Sequence, residues 1–283
     1  VRRYQCGSHR AAGDSPGESP GPFRLCPLPA PGVPSATGIG SRVPALLCYP
    51  ATRPGLDPAP AAPARPSRLS MIVSHSHRFI FVHVSKAAGT SIERALAPFR
   101  HQPPDTRLNR WRCKLALQWD YRRYRFRQHD GIRVARRVLP TTLFDDYFKF
   151  AFVRNPWDWL ASLYGYLQRT PGHRHHRRVR TMSFAEYVEF EIRRGRRSQS
   201  GFLTDNGGEL LMDFVGRFEN LEADFARVCT HLGLGAIPLP HRNANREPRP
   251  YRSLYDAATR ERVAAHWAGD IRRFGYRFEE SAP

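Results

Sequence analysis

Lysine is scarce in this chain of 283 residues. Only Lys86, Lys114 and Lys149 are present, so arginine supplies nearly all of the 45 basic side chains against 25 acidic ones. The formal net charge is +20. The planar guanidinium group suits phosphate, sulfate and carboxylate groups. The charge therefore predicts attraction to polyanions, although it selects no particular one.

Cysteine is also scarce, and long apolar runs are absent from the sequence. The five cysteines have no metal-ligand spacing, which favours scattered reduced thiols over a disulfide scaffold or a zinc site. No apolar run is long enough to span a bilayer, and the first residues lack the basic start and apolar core of a signal peptide. The sequence therefore predicts a cytoplasmic protein. The cysteines are Cys6, Cys26, Cys48, Cys113 and Cys229.

Residues 1–70 lack the periodicity of helices or strands. They are rich in Pro, Gly, Ala and Ser, as in GDSPGESPGPF. Such a composition buries too little apolar surface to offset the entropy of ordering the chain. We expect residues 1–70 to be a disordered tail, or to lie upstream of a true translation start at Met71. Residues 71–283 are expected to form a single domain.

Strand-like and helix-like segments alternate after Met71. Apolar runs predict buried strands at 79–84, 148–153 and 214–218. Strands that alternate with helices favour an α/β fold, here a P-loop-like parallel β-sheet flanked by helices. In such sheets, ligands bind beyond the carboxyl ends of the strands.

Local signals predict the ends of several helices. Two segments have the spacing of a capping box, and one pair is an N-cap followed by a first-turn proline, so these three predict helix starts. Two further segments have apolar residues at helical spacing and predict helices. The capping boxes are Thr90-Ser91-Ile92-Glu93 and Ser183-Phe184-Ala185-Glu186, the N-cap pair is Asn155-Pro156, and the apolar faces are Leu221, Phe225, Val228 and Leu232 before Gly233, and Val263, Trp267, Ile271 and Phe274.

Two predicted strand ends carry groups that suit anions. After the first strand, the loop SKAAGTS offers backbone N–H groups at a helix start, Lys86 and two hydroxyls. Its lysine precedes Gly89, whereas the loop of a nucleotide triphosphatase has the lysine after its glycines. Arg154 follows the second strand and Ser162 lies two turns into the next helix, so this pair is suited to a second phosphate. The alternatives are a turn before a capped helix, and a structural Arg154–Asp158 bridge.

Taken together, these segments resemble the sulfotransferases that use 3′-phosphoadenosine 5′-phosphosulfate. The likeness is to the carbohydrate group related to the heparan 2-O- and chondroitin enzymes and their bacterial relatives. FVHVSKAAGTSI resembles that family's 5′-phosphosulfate loop, and FAFVRNPWDWLASLY resembles its 3′-phosphate segment. Similarity extends over residues 78–279. One departure is Ser85-Lys86-Ala87, where relatives often have Pro-Lys-Thr, and it removes one hydroxyl from the loop.

The resemblance implies a role for each matched residue. Lys86 would be catalytic, neutralising charge on the oxygen that bridges phosphate and sulfuryl group, and no metal would be required. His129 is similar in place to the family's catalytic base. The implied donor-binding residues are Lys86, Ala88, Gly89, Thr90 and Ser91 for the 5′-phosphosulfate, and Arg154 and Ser162 for the 3′-phosphate.

The base and the acceptor have alternatives in the sequence. His83 and the run HRHH at 173–176 are the other candidate bases, although the first is typical of a packed strand residue and the second of a solvated loop. Residues 107–127 interleave arginine with Trp and Tyr, a pattern that suits sugar rings or single-stranded nucleic acid. An amphipathic helix with a basic outer face is the simpler interpretation of this segment.

We therefore expect a sulfotransferase acting on a hydroxyl of a carbohydrate or glycolipid, with no nucleic-acid partner. Two other function classes remain open. A P-loop-like small-molecule kinase would use ATP and magnesium, although the G-x-x-x-x-G-K-[ST] order is missing. An arginine-rich nucleic-acid-binding protein would bind polyanions in a salt-dependent way and have no transfer activity.

Overall fold

A computed structural model describes residues 71–115, 117, 120–127, 130–240 and 251–279. Within these residues a four-stranded sheet has the order β1-β2-β3-β4, with β1 antiparallel to β2 and the other pairs parallel. The predicted α/β class is confirmed. The predicted tail at 1–70 lies outside the described residues and stays a prediction. The strands are β1 Ile72–Ser74, β2 Phe79–Val82, β3 Phe148–Val153 and β4 Phe214–Arg217.

Ten α-helices flank this sheet among the described residues. None of them is both long and apolar enough to cross a membrane. The helices are α1 Gly89–Ala95, α2 Arg107–Lys114, α3 Ile132–Val138, α4 Thr141–Asp146, α5 Pro156–Gln168, α6 His176–Val179, α7 Phe184–Arg193, α8 Leu221–His231, α9 Ala257–His266 and α10 Ala268–Phe274.

The two faces of the sheet carry different side chains because successive strand residues point to opposite sides. One face is aromatic and packs against α1 and α8, whereas the other is aliphatic and packs against α5, α7 and α9. Both faces are therefore covered, which leaves the carboxyl ends of β2, β3 and β4 for the loops. The aromatic face consists of Phe79, Phe81, Phe150, Phe152 and Phe214, and the aliphatic face of Ile80, Val82, Ala151, Val153 and Val215.

Three predicted helix ends are confirmed. Asn155 Oδ1 accepts a hydrogen bond from the Trp157 N–H at 3.1 Å, at the start of α5. Ser183 and Glu186 form the reciprocal capping box of α7. After α8, Gly233 adopts a left-handed φ of 64°. Each of these ends depends on atoms a few residues apart, so local sequence is sufficient to predict it.

The capping box predicted at Thr90–Glu93 is wrong. Helix α1 begins at Gly89, its N-cap position is Ala88 with a left-handed φ of 58°, and no side chain caps it. Glu93 is instead buried, and its Oε1 lies 3.3 Å from Arg100 Nη1. A buried carboxylate needs a paired charge, and this requirement outweighs a surface cap.

Other predicted bounds need smaller corrections. The first strand ends at Val82 rather than at 84, and the third ends at Arg217 rather than at 218. The helical face predicted for 263–274 is divided between α9 and α10 at Trp267, where φ is −103° and ψ is 25°. Trp267 is almost fully buried, so the bend allows its large side chain to reach the core beneath α5.

Candidate active site

The loop between β2 and α1 has a backbone that few L-residues adopt. Lys86 and Ala88 both have left-handed φ values, 64° and 58°. Such conformations cost about 1–3 kcal/mol each for residues other than glycine, and they concentrate at ligand-binding sites. Residue 88 precedes the helix directly, so the strain lies where an anion would approach the helix start.

Side chains from α5 and from the end of β3 donate hydrogen bonds to two carbonyl groups of this loop. Trp159 Nε1–H donates to the Ser85 carbonyl at 2.8 Å, and Arg154 Nη1 donates to the Lys86 carbonyl at 3.3 Å. The first N–H groups of a helix, here those of Gly89 and Thr90, have no carbonyl partner inside the helix. The loop therefore has its acceptors engaged and its donors at the helix start, which is the arrangement of an anion cradle.

The ammonium group of Lys86 lies in a cationic environment. Its Nζ is 4.5 Å from the centroid of the Tyr166 ring. Burial, then the neighbouring Arg154 and Arg169, lowers the pKa of Lys86 to about 8. Desolvation and like charges both disfavour the ammonium form. A ligand with several negative charges would relieve this repulsion, so the site is electrostatically prepared for one.

Arg154 extends from the end of β3 and joins the two halves of the site. Its Nε donates to Asp158 Oδ2 at 2.7 Å, and its guanidinium carbon lies 4.0 Å from the centroid of the Phe218 ring. The predicted structural bridge to Asp158 is therefore present. Within the described part of the chain, Nη2 makes no hydrogen bond, so donor capacity remains for a ligand.

Residues that the sequence did not indicate hold Arg154 in place. The side-chain amide of Gln199 accepts from the Arg154 N–H at 2.9 Å and donates to the Arg154 carbonyl at 2.7 Å. Asp270 in turn accepts from the Gln199 N–H at 2.7 Å. Burial raises the pKa of this Asp270 carboxyl. Gln199 is far from Arg154 in the chain and belongs to no periodic pattern or motif. Its contact with Arg154 is therefore visible only in the folded structure.

The hydroxyl groups predicted for donor binding have different surroundings. Thr90 and Ser91 lie in the first turn of α1, and Ser91 Oγ donates to the Pro240 carbonyl at 3.2 Å. Ser162 is half-buried in α5, one helical turn after Asp158 and thus on the side of Arg154. The structure joins Lys86 and Arg154 directly by a hydrogen bond, whereas Ser162 lies on the face of α5 that carries Asp158, the partner of Arg154.

Comparison with known proteins agrees with this geometry. A family model described as the sulfotransferase family matches residues 69–277. The chain belongs to the sulfotransferase family. This sulfotransferase is also 34% identical over 94 residues to an uncharacterized protein of Archaeoglobus fulgidus, covering 32% of the chain and 72% of that protein. No solved structure matches the chain.

The structure describes two of the three sets of candidate bases of this sulfotransferase. His129 lies outside the described residues. His83 is buried, and its Nδ1 is 3.6 Å from Glu93 Oε2, so it is packed as predicted, although it lies one residue beyond the end of β2. The three histidines of the run at 173–176 are half-buried, whereas Arg174 is exposed; the His173 ring lies 6.0 Å from that of Tyr166 and the His175 ring 5.6 Å from that of Phe190.

Two histidines of this run have lowered pKa values, and each already accepts a hydrogen bond: His175 Nε2 from Arg174 Nε at 2.9 Å and His173 Nδ1 from the His175 N–H at 3.2 Å. Burial, followed by nearby arginines, lowers the pKa of His173 and of His175. Both imidazoles are therefore mainly neutral at neutral pH. The Tyr166 ring that lies 4.5 Å from the Lys86 ammonium also contacts His173, with ring centroids 6.0 Å apart. These histidines therefore remain the alternative to His129 as the catalytic base.

Gly89 leaves room for the imidazole of His83 beneath the cradle. A Cβ atom at position 89 would lie 2.5 Å from His83 Nε2. We expect Gly89→Ala to lower the free energy of unfolding by about 1–3 kcal/mol, because a buried ring and the helix start would have to separate. Urea denaturation measures this change.

Gly269 in α10 is the matched control, since no atom lies within 4 Å of its hypothetical Cβ. Gly269→Ala should be neutral, or should stabilise by about 0.5–1 kcal/mol. Equal urea midpoints for the two variants would show that the loop has room at position 89.

Proposed function

We propose that this sulfotransferase moves a sulfuryl group from 3′-phosphoadenosine 5′-phosphosulfate to a hydroxyl of a carbohydrate or glycolipid. The observation that carries the proposal is the contact between the Lys86 loop and Arg154. This contact joins two strand ends into one continuous cationic site. Such a site suits the donor, which has two separate phosphates. The loop N–H groups, Thr90 and Ser91 would hold the 5′-phosphate, while Arg154 and Ser162 would hold the 3′-phosphate.

The reaction exchanges one S–O bond for another. The acceptor oxygen bonds to sulfur as the bond between sulfur and the bridging oxygen breaks, and the electron pair remains on the departing bisphosphate. Lys86 would stabilise the charge that develops on this oxygen. The hydroxyl proton would pass to a histidine, and His129 is our assignment for that base.

A binding competition tests the proposal against its rivals. We would titrate 3′-phosphoadenosine 5′-phosphate, ATP with magnesium, and duplex DNA against the full chain at physiological salt. The proposal predicts that the bisphosphate binds most tightly. Preference for ATP with magnesium would instead favour a kinase, and preference for DNA would favour a polyanion-binding protein.

Arg154→Ala should weaken the 3′,5′-bisphosphate far more than adenosine 5′-monophosphate. A hydrogen bond to a charged group contributes about 1.5–3 kcal/mol, and this contact exists only in the first ligand. Calorimetric titration of both nucleotides gives the difference.

Asp158→Asn is the control for a purely structural role of Arg154. It removes the charge of the bridge and leaves the guanidinium in place, so the preference for the 3′-phosphate should persist. If the Arg154 and Asp158 variants lose both nucleotides equally, Arg154 serves the fold rather than the ligand.

A further inference from the structure

Helix α2 presents its large apolar side chains to solvent, while an asparagine and a cysteine face the protein. Asn109 and Cys113 are buried, whereas Leu108, Trp111 and Leu115 are 61%, 54% and 48% exposed. At 100° per residue the three exposed side chains fall within an arc of about 60°. We call these three residues the α2 stripe. An ordinary surface helix has the opposite orientation, with its apolar face inward.

The stripe faces outward because the inner face of α2 is held by hydrogen bonds. Asn109 Nδ2 donates to the carbonyls of Pro104 and Arg123, both at 2.9 Å. Arg127 Nη2 donates to the Cys113 carbonyl at 3.3 Å. Rotating the helix to bury the stripe would break these bonds and expose buried polar groups, so the outward orientation is a stable property of this segment.

Unpaired cations surround the α2 stripe. Arg107, Arg112 and Lys114 are exposed, and none of them has an acidic partner within the described ranges. On the helix, Arg112 lies on one side of the stripe, while Arg107 and Lys114 lie on the other. Arg110 alone has a nearby carboxylate, that of Asp105 at 3.7 Å. The stripe is therefore an apolar line between two cationic edges.

We propose that the α2 stripe docks this protein onto the surface of an anionic lipid bilayer. The two leucines and the indole would enter the boundary between head groups and acyl chains, and the flanking cations would meet lipid phosphates. Trp is favoured at this depth. An exposed convex helix with cations on both sides fits a charged plane better than it fits an apolar protein groove. The inference goes beyond the proposed reaction and is independent of it.

Co-sedimentation of the full chain with vesicles tests this proposal. Vesicles of phosphatidylglycerol and phosphatidylcholine should bind the chain, and vesicles of phosphatidylcholine alone should bind it much less. The double variant Leu108→Ser, Leu115→Ser should bind the mixed vesicles about tenfold more weakly, because it removes apolar area that the bilayer buries. Its charge is unchanged, and circular dichroism would verify its fold.

Charge variants separate docking from the general attraction of a basic chain. Arg112→Ser, Lys114→Ser removes two cations beside the stripe. Arg193→Ser, Arg272→Ser removes two exposed cations from α7 and α10. The first pair should weaken vesicle binding clearly more than the second, since surface charges act within about one Debye length of the lipid.

Three results would overturn the proposal. One is wild-type vesicle binding in the leucine variant, and another is an equal loss for the two charge pairs. The third comes from sedimentation equilibrium without lipid: a wild-type dimer that becomes a monomer in the leucine variant would make the stripe an interface between two copies of this chain.

Discussion

Lys86→Ala is expected to lower turnover by about 10²–10³-fold, the usual cost of removing one group that stabilises transition-state charge. Affinity for 3′-phosphoadenosine 5′-phosphate should change much less. The charge on the bridging oxygen develops only as the S–O bond breaks, so the contact strengthens in the transition state. Single-turnover kinetics and calorimetric titration measure the two quantities. Loss of affinity alone would make Lys86 a binding residue.

The pH dependence provides a second readout for the same group. Burial and two neighbouring arginines lower the pKa of Lys86 to about 8, so the free enzyme loses this ammonium charge above that pH. The kcat/KM for the donor should therefore fall above about pH 8. Because the bound donor is anionic, it favours the charged form, and kcat should persist to higher pH. Lys86→Arg is the control, since its guanidinium does not titrate in this range. The same alkaline decline in that variant would assign the pH effect to another group.

His129→Asn is expected to reduce sulfuryl transfer by about 10²–10⁴-fold and to leave nucleotide affinity nearly unchanged. The substitution keeps polarity and approximate size and removes the titrating imidazole. Where no acceptor is known, slow hydrolysis of the donor by water supplies the rate. A base acts on the incoming hydroxyl and not on the nucleotide, which is why only the rate should respond.

The matched comparison for His129 is His173→Asn, His175→Asn. Both imidazoles have lowered pKa values, and His173 lies against the ring that contacts the Lys86 ammonium. His176→Asn is added to this loop variant, because an Nδ1–H that donates to the Leu167 carbonyl at 2.9 Å leaves Nε2 of His176 as the proton acceptor. Full activity of His129→Asn together with an inactive loop variant would transfer the role of base to 173–176. Full activity of both would leave the proposed mechanism without its base.

The sequence sufficed to predict the features that depend on neighbours along the chain. Strand β3 has the predicted bounds, and the caps at Asn155 and Ser183 form as their spacing indicated. The two candidate anion-binding segments were predicted at strand ends, and parallel pairing of β2 with β3 brings those ends together. Caps arise from hydrogen bonds within a few residues, and a strand buried on both faces is recognisable as a continuous apolar run, so the local pattern contains the information.

Tertiary structure decided the features in which a distant partner outweighs a local preference. Thr90-Ser91-Ile92-Glu93 has the same pattern as the true box at Ser183, yet Glu93 pairs with Arg100 in the interior. A cap contributes only about 1 kcal/mol, whereas an unpaired buried carboxylate costs several. Gln199 against Arg154, Tyr166 against Lys86 and the outward stripe of α2 follow the same logic. Each depends on contacts that spacing and composition do not specify, between residues 45 positions apart for Gln199 and Arg154 and 14 positions apart for Asn109 of α2 and Arg123.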